Sequence, residues 1–176
     1  MSVVKIIGNP ISSMVWDEQE NWKSSHSPLD ETLELCIMTL MKEKLNIGIT
    51  GSRDFTNKEV VKNTLTKLVE ENSDKDLVIH HGDCFGADEI SHEVAKSLGI
   101  EVVVHPPTKS GLRAFCGSEN ILPPKDFLKR NHCIVDSCDI LLGFPKTDKE
   151  VRRSGTWATI RYARKCDKEV VITPNS

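Results

Sequence analysis

The chain lacks any long apolar run. Its hydrophobic stretches extend over only a few residues, far short of the ~20 that a membrane-crossing helix needs. The start, Met1-Ser2-Val3-Val4-Lys5, puts no charged segment ahead of an apolar one, so no secretory leader is expected. Cysteine patterning is missing as well. Cys36, Cys84, Cys116, Cys133, Cys138 and Cys166 include no C-x-x-C pair, and their spacing suits neither a zinc site nor a small disulfide framework. Free thiols in a reducing cytoplasm are the expectation, with no metal bound and no cofactor. Positive charge is not in excess. A net charge of −3 gives no global field to hold nucleic acid by counterion release. Only a local patch of Lys125, Lys129, Arg130, Arg152 and Arg153 keeps nucleic acid in view as a partner.

Two nucleotide signatures are absent too. Gly48-x-x-Gly51 is not G-x-G-x-x-G, and the next apolar run ends in His80-His81 where a ribose-binding acid belongs. No Walker A lysine is present. Bound NAD and an ATPase cycle are disfavoured, and a mononucleotide or nucleotide-derived fragment suits the chain better.

What the chain does have is an alternation. With 38% hydrophobic and 28% charged residues in 176, it has the composition of a globular protein with room for one domain and an extension. Short apolar runs at Ile47–Gly51, Leu77–Ile79, Val102–Val104, Ile140–Phe144 and Glu169–Thr173 alternate with amphipathic stretches. The helices are expected after Thr56-Asn57, over Ala87–Leu98, Lys125–Ser137 and Gly155–Cys166. Continuous apolar strands between such helices imply a parallel sheet covered on both faces. The expectation is an α/β, doubly wound, mainly parallel sheet of about five core strands over residues 46–176. Residues 1–45 form an N-terminal extension. Its expected elements are a strand at Val3–Ile7 and a helix from Ser27-Pro28 to Leu45, packed on the main domain. Trp16 and Trp22 are read as packing residues. Apolar positions on that helix exceed one narrow stripe, which favours a two-fold homodimer.

In such sheets, ligands sit beyond the C-terminal strand ends. Three glycine-bearing loops reach that rim: Gly51-Ser52-Arg53-Asp54, then Gly82-Asp83 with Gly86-Ala87-Asp88, then Ser154-Gly155-Thr156. Each precedes a helix start, where free N–H groups and the helix dipole attract a phosphate. Gly86 is expected to leave the space a phosphate occupies. Arg130 and Asn131 join these loops as ligand-binding candidates. Other readings stand beside these: Arg53 as a surface charge, Asp88 as a first-turn acid, Arg130 paired with Asp126 one turn back. His81 is open between a ligand contact and a structural role, and Trp157 reads as a core anchor.

Thr50-Gly51-Ser52-Arg53-Asp54-Phe55, His81-Gly82-Asp83-Cys84-Phe85-Gly86-Ala87-Asp88, Arg130-Asn131 and Ser154-Gly155-Thr156, in this order, resemble the SLOG superfamily. That group holds the LOG nucleotide hydrolases, the DprA/Smf DNA-processing proteins and the YspA/YpsA-related families, the last being most similar in motif order. The resemblance spans about Asn46 to Thr173. It implies a Rossmann-like sheet with a nucleotide-type ligand across the loops. LOG enzymes cleave the N-glycosidic bond of nucleoside 5′-monophosphates with an arginine and a glutamate. Arg130 matches the arginine, but the glutamate position falls on Thr159. Ligand binding with slow or no turnover is therefore expected. The alternatives are a LOG-like phosphoribohydrolase, with Asp88 and Arg130 as catalytic residues, and DprA-like binding of single-stranded DNA.

Overall fold

A computed structural model of the protein describes residues 15–16, 22–23 and 42–174. The chain divides into two units, Met1–Lys42 and Glu43–Ser176. In the first, β1 (Val15–Trp16) and β2 (Trp22–Lys23) form an antiparallel pair that sets Trp16 opposite Trp22. The expected Val3–Ile7 strand lies outside the described residues. So does the Ser27 helix, except at its end: Lys44 and Leu45 are strand, not the last helical turn.

The second unit is an α/β sheet domain. Its elements in chain order are β3 (Lys44–Gly51), α1 (Lys58–Glu71), β4 (Asp76–His81), α2 (Ala87–Ser97), β5 (Glu101–Val104), β6 (Asn120–Ile121), α3 (Phe127–Ser137), β7 (Ile140–Phe144), α4 (Gly155–Lys165) and β8 (Glu169–Ile172). The sheet has six strands in the order β6-β5-β4-β3-β7-β8, every neighbouring pair parallel. The sixth strand, β6, arises inside the long Thr108–Pro124 segment, where two residues pair with Val103 and Val104.

Apolar runs drive this arrangement because central strands are covered twice. Ile47, Ile49, Leu65, Ile79 and Val104 belong to the core under α1 and α2. Val135, Leu141, Trp157 and Ile160 form a second core around α3 and α4. Trp157 is buried, so it anchors the core. Helix starts follow their caps: Asn57 accepts from the Val60 N–H, and Ser154 from the Trp157 N–H. From β3 the chain moves outward through β4 and β5, then returns to place β7 on the other side of β3. The strand order therefore reverses between β3 and β7, and a crevice opens beyond their ends. Phe55 and Phe144, ring centroids 5.3 Å apart, close the core beneath that crevice.

Candidate functional site

A cavity of about 360 Å³ lies in this crevice, lined by β3 and its following turn, by α3 and by the start of α4. Its volume falls within the range of small-molecule sites. Of the residues expected from sequence, Gly51, Ser52, Arg53, Asp54, Asp88, Arg130, Asn131, Gly155 and Thr156 line it.

The β3 turn is held open by its own backbone. The Ser52 N–H donates to the Phe144 carbonyl (2.9 Å), and the Ser52 carbonyl accepts from Phe55 and from Ala87. Arg53 and Asp54 are exposed at the mouth, where Lys146 pairs with Asp54 at 2.9 Å. At the α4 side, the N–H groups of Gly155 and Thr156 precede the first intrahelical bond and have no partner within the helix. Ser154 caps the helix from outside the cavity, accepting from Trp157. The α2 start differs, since its Ala87 N–H is spent on Ser52. The α4 start thus presents two N–H groups to the cavity that its own helix does not use.

Arg130 and Asn131, adjacent on α3, reach to opposite sides. Asn131 Nδ2 donates to Thr159 Oγ1 at 2.9 Å, while Thr159 Oγ1 donates to the Gly155 carbonyl at 3.0 Å. Thr159 is buried, and its hydroxyl serves to hold Asn131. Arg130 turns toward the β4–α2 turn and is only 6% exposed. Its backbone N–H donates to Asp126 O, but its guanidinium faces Asp88, not the Asp126 side chain. Asp88 Oδ2 lies 3.7 Å from Arg130 Nη1, and Arg130 Nη2 donates to Cys84 Sγ at 3.4 Å. Arg130 Nε has no hydrogen-bond partner. A buried guanidinium with five donors, one long ion pair and one thiol is under-satisfied.

Asp88 is also 6% exposed and accepts from the Cys84 N–H at 3.2 Å. Burial pushes its carboxyl up to about 6, although Arg130 and the Cys84 and Gly82 N–H groups pull the other way. It is not a solvated first-turn acid. Cys84, also in the lining, has its thiol raised by burial and by Asp88, which keeps it protonated and unreactive.

The remaining expected residues support the site from behind. A Cβ on Gly82 would coincide with the Arg130 guanidinium, so glycine there makes room for Arg130. Gly86 has φ +79°, and a Cβ on it would lie 2.6 Å from the Ser52 carbonyl oxygen. Its role is loop-to-loop packing in a glycine conformation, not space for a phosphate. Asp83 is fully buried and committed elsewhere: Oδ2 to Arg113 Nε (2.6 Å) and Oδ1 accepting from the Cys116 N–H (2.8 Å). It clamps the Thr108–Pro124 segment onto the end of β4.

Sequence reasoning passed over Ile49, Thr50, Cys84 and Phe127 as lining residues. Phe127 was legible in principle, since it lies three residues before Arg130 on α3 and shares its face. Its ring centroid is 5.9 Å from the guanidinium carbon.

His81 is structural. Its Nδ1 accepts from the Asp83 N–H at 3.1 Å, which places its proton on Nε2, 3.0 Å from His92 Nδ1. His81, His92 and Cys116 are the set of described residues close enough to share a metal. His81 Nε2 carries the proton, and burial beside Asp83 pushes the Cys116 thiol up to about 12.

Residues 46–110 match the model of the YspA, cpYpsA-related SLOG family. No curated protein matches the sequence. Among solved structures, the fold is shared with a molybdenum cofactor binding protein from Rippkaea orientalis: TM-score 0.59, 18% identity, 77% of this chain and 80% of that one. It is shared with the Moco carrier protein of Chlamydomonas reinhardtii at TM-score 0.52 and 19% identity, over 74% of this chain and 76% of that one. DprA from Streptococcus pneumoniae is similar at TM-score 0.59 and 20% identity, over 75% of this chain. There the chain spans about half, 51%, of DprA's length. No described helix is long and apolar enough to cross a membrane.

Proposed function

We propose that the cavity binds a small phosphate-bearing molecule, a nucleotide or a nucleotide-derived compound, with slow or no turnover. One observation carries this reading: the buried Arg130 guanidinium lines the cavity with Nε unpartnered and only loose contacts elsewhere. A cation held this way is completed by an anion, and a planar fork of donors suits phosphate oxygens. The open N-terminus of α4 adds a second donor group on the far side of the same cavity. Hydrolysis is not favoured. The hydroxyl of Thr159 is engaged by Asn131 and Gly155, and threonine cannot stabilise an anomeric cation as a carboxylate does.

A thermal-shift panel tests the reading. It contains nucleoside mono- and diphosphates, ADP-ribose, single-stranded DNA and the molybdenum cofactor, which two fold neighbours are described as binding or carrying. A ligand at one hundred times its dissociation constant adds ~2.7 kcal/mol, which raises the melting temperature by roughly 5–10 °C for a chain of this size. No shift from any phosphate compound at millimolar concentration overturns it. Release of free base from AMP at several per second would overturn the absence of turnover and leave the binding intact.

A further inference from the structure

We propose that Lys146 sets the charge of this cavity: it cancels Asp54 at the mouth, so that a dianionic phosphate is attracted rather than opposed. The inference rests on the anion reading of the cavity and names a residue outside the lining on which anion affinity depends.

Within the lining the charges cancel. Arg53 and Arg130 face the cavity, and so do Asp54 and Asp88. Two cations against two carboxylates give an anion no net attraction. Asp88, buried, lies 3.7 Å from Arg130. Asp54 is the exposed carboxylate of the lining, in the path of an incoming phosphate. Lys146 lies just outside the lining, yet its Nζ is 2.9 Å from Asp54 Oδ2. With Lys146 included, three cations stand against two carboxylates, and the site attracts an anion.

The sheet register delivers the pair. β3 and β7 are parallel neighbours with Gly51 opposite Phe144, and the Ser52 N–H donates to the Phe144 carbonyl at 2.9 Å. Asp54 follows the end of β3 and Lys146 the end of β7, so both reach the same rim. The rest of the β7–α4 loop is tied to α4. Arg161 pairs with Glu150 at 2.7 Å and donates to the Arg152 carbonyl at 3.1 Å. With Glu150 engaged there, Asp54 is the carboxylate that Lys146 meets.

The side chains of Lys146 and Asp54 are 66% and 69% exposed, so the pair adds little to stability. Its effect on a ligand is another matter. Together the two charges present only a dipole. Removing one leaves the full field of the other, and that field acts in proportion to the ligand's charge. A phosphate monoester carries close to two negative charges above neutrality, and a diester carries one.

Calorimetric titrations of AMP, its 5′-methyl ester and inorganic phosphate test this at low ionic strength and pH 8, where Asp88 is ionised. The chains are the wild type, Lys146→Ala, Asp54→Asn and the double variant. Both positions are exposed, so all four are expected to fold alike. In Lys146→Ala, AMP should bind about fivefold weaker, the scale of one unit charge acting on a dianion across roughly 8 Å of water. The methyl ester, with one charge, should lose only about twofold. Asp54→Asn should shift both ligands the other way. The double variant should return to within about twofold of the wild type, because the two fields leave together. At about 1 M salt the differences between variants should disappear. Unchanged AMP affinity in Lys146→Ala at low salt overturns the charge role and leaves the anion site standing. Equal losses for AMP and its methyl ester mark a displaced loop and overturn it too. A double variant as weak as Lys146→Ala means that Lys146 touches the ligand itself, which overturns the cancellation of Asp54. If neither AMP nor inorganic phosphate binds the wild type, the anion reading and the charge role fall together.

Discussion

Arg130 is where stability and binding pull in opposite directions. Burying a guanidinium costs several kcal/mol unless its donors are matched, and Arg130 has Nε unpartnered with Asp88 at 3.7 Å. Replacing an imperfectly matched buried charge by an apolar side chain of similar length is often neutral or stabilising. Asp88 can follow by staying protonated, since burial already raises its carboxyl to about 6. We therefore expect Arg130→Met to unfold within about 1 kcal/mol of the wild type, or later, while losing all nucleotide- or phosphate-induced stabilisation. Denaturant titrations with and without ligand measure both. A variant that loses more than about 3 kcal/mol would instead mark Arg130 as a structural residue. Gly82→Ala approaches the same residue from the other side. Its methyl would take the place of the guanidinium, so binding should fall at least tenfold, equivalent to about 1.4 kcal/mol, with Arg130 still present.

The elements of the sheet domain were legible because each strand is a short apolar run and each helix start carries a residue that caps or turns the chain. Asn57 and Ser154 sit at their caps as the sequence suggests, and Gly99 takes φ +71° after α2. β6 was not legible, because exposed Asn120-Ile121 has no apolar pattern and pairs only where Asp83 pins the segment down. The site was legible as loops but not as roles. Whether Asp83 or Asp88 lines the cavity is decided by long-range partners: Arg113 claims Asp83, and Arg130 faces Asp88. No local spacing encodes that choice. Gly86 shows the same limit, since its constraint is the Ser52–Arg53 backbone passing overhead. This yields a prediction about two loops together. Gly86→Ala forces an L residue to φ +79° and a Cβ against Ser52, which should cost about 1–3 kcal/mol. Because the clash displaces the turn that lines the cavity, ligand affinity should fall in the same variant. Unchanged affinity by titration would show that the turn does not touch the ligand.

Across the whole domain, the sheet buries histidines as neutral hydrogen-bonding links, and this sets its response to acid. Asp83, His81 and His92 form one chain of bonds at the end of β4. His80, 3.0 Å from His105 and 3.2 Å from the Asn46 side-chain oxygen, links β4 to β3 and to the residue after β5. Burial lowers all four imidazoles, His81 to about 3 and His105 to about 4. A histidine lowered in the folded state binds its proton only after unfolding, so the unfolded chain takes up more protons below pH 6.5. Stability then falls as pH drops through that value and keeps falling until the folded groups titrate. For His81, fully buried, the loss is roughly 2 kcal/mol by pH 5. Asp88 acts with the opposite sign. Its raised carboxyl gives stability as pH falls from about 6 toward 4, but it is one group against four lowered imidazoles. The net expectation is a steady fall in denaturant midpoint between pH 7 and pH 5. His81→Gln offers side-chain donor and acceptor groups without a titrating nitrogen. It should flatten that slope by about one proton while lowering stability at pH 7. A midpoint flat across the interval in the wild type would mean that the histidines titrate normally in the folded protein, and that the two bonded pairs do not hold them neutral.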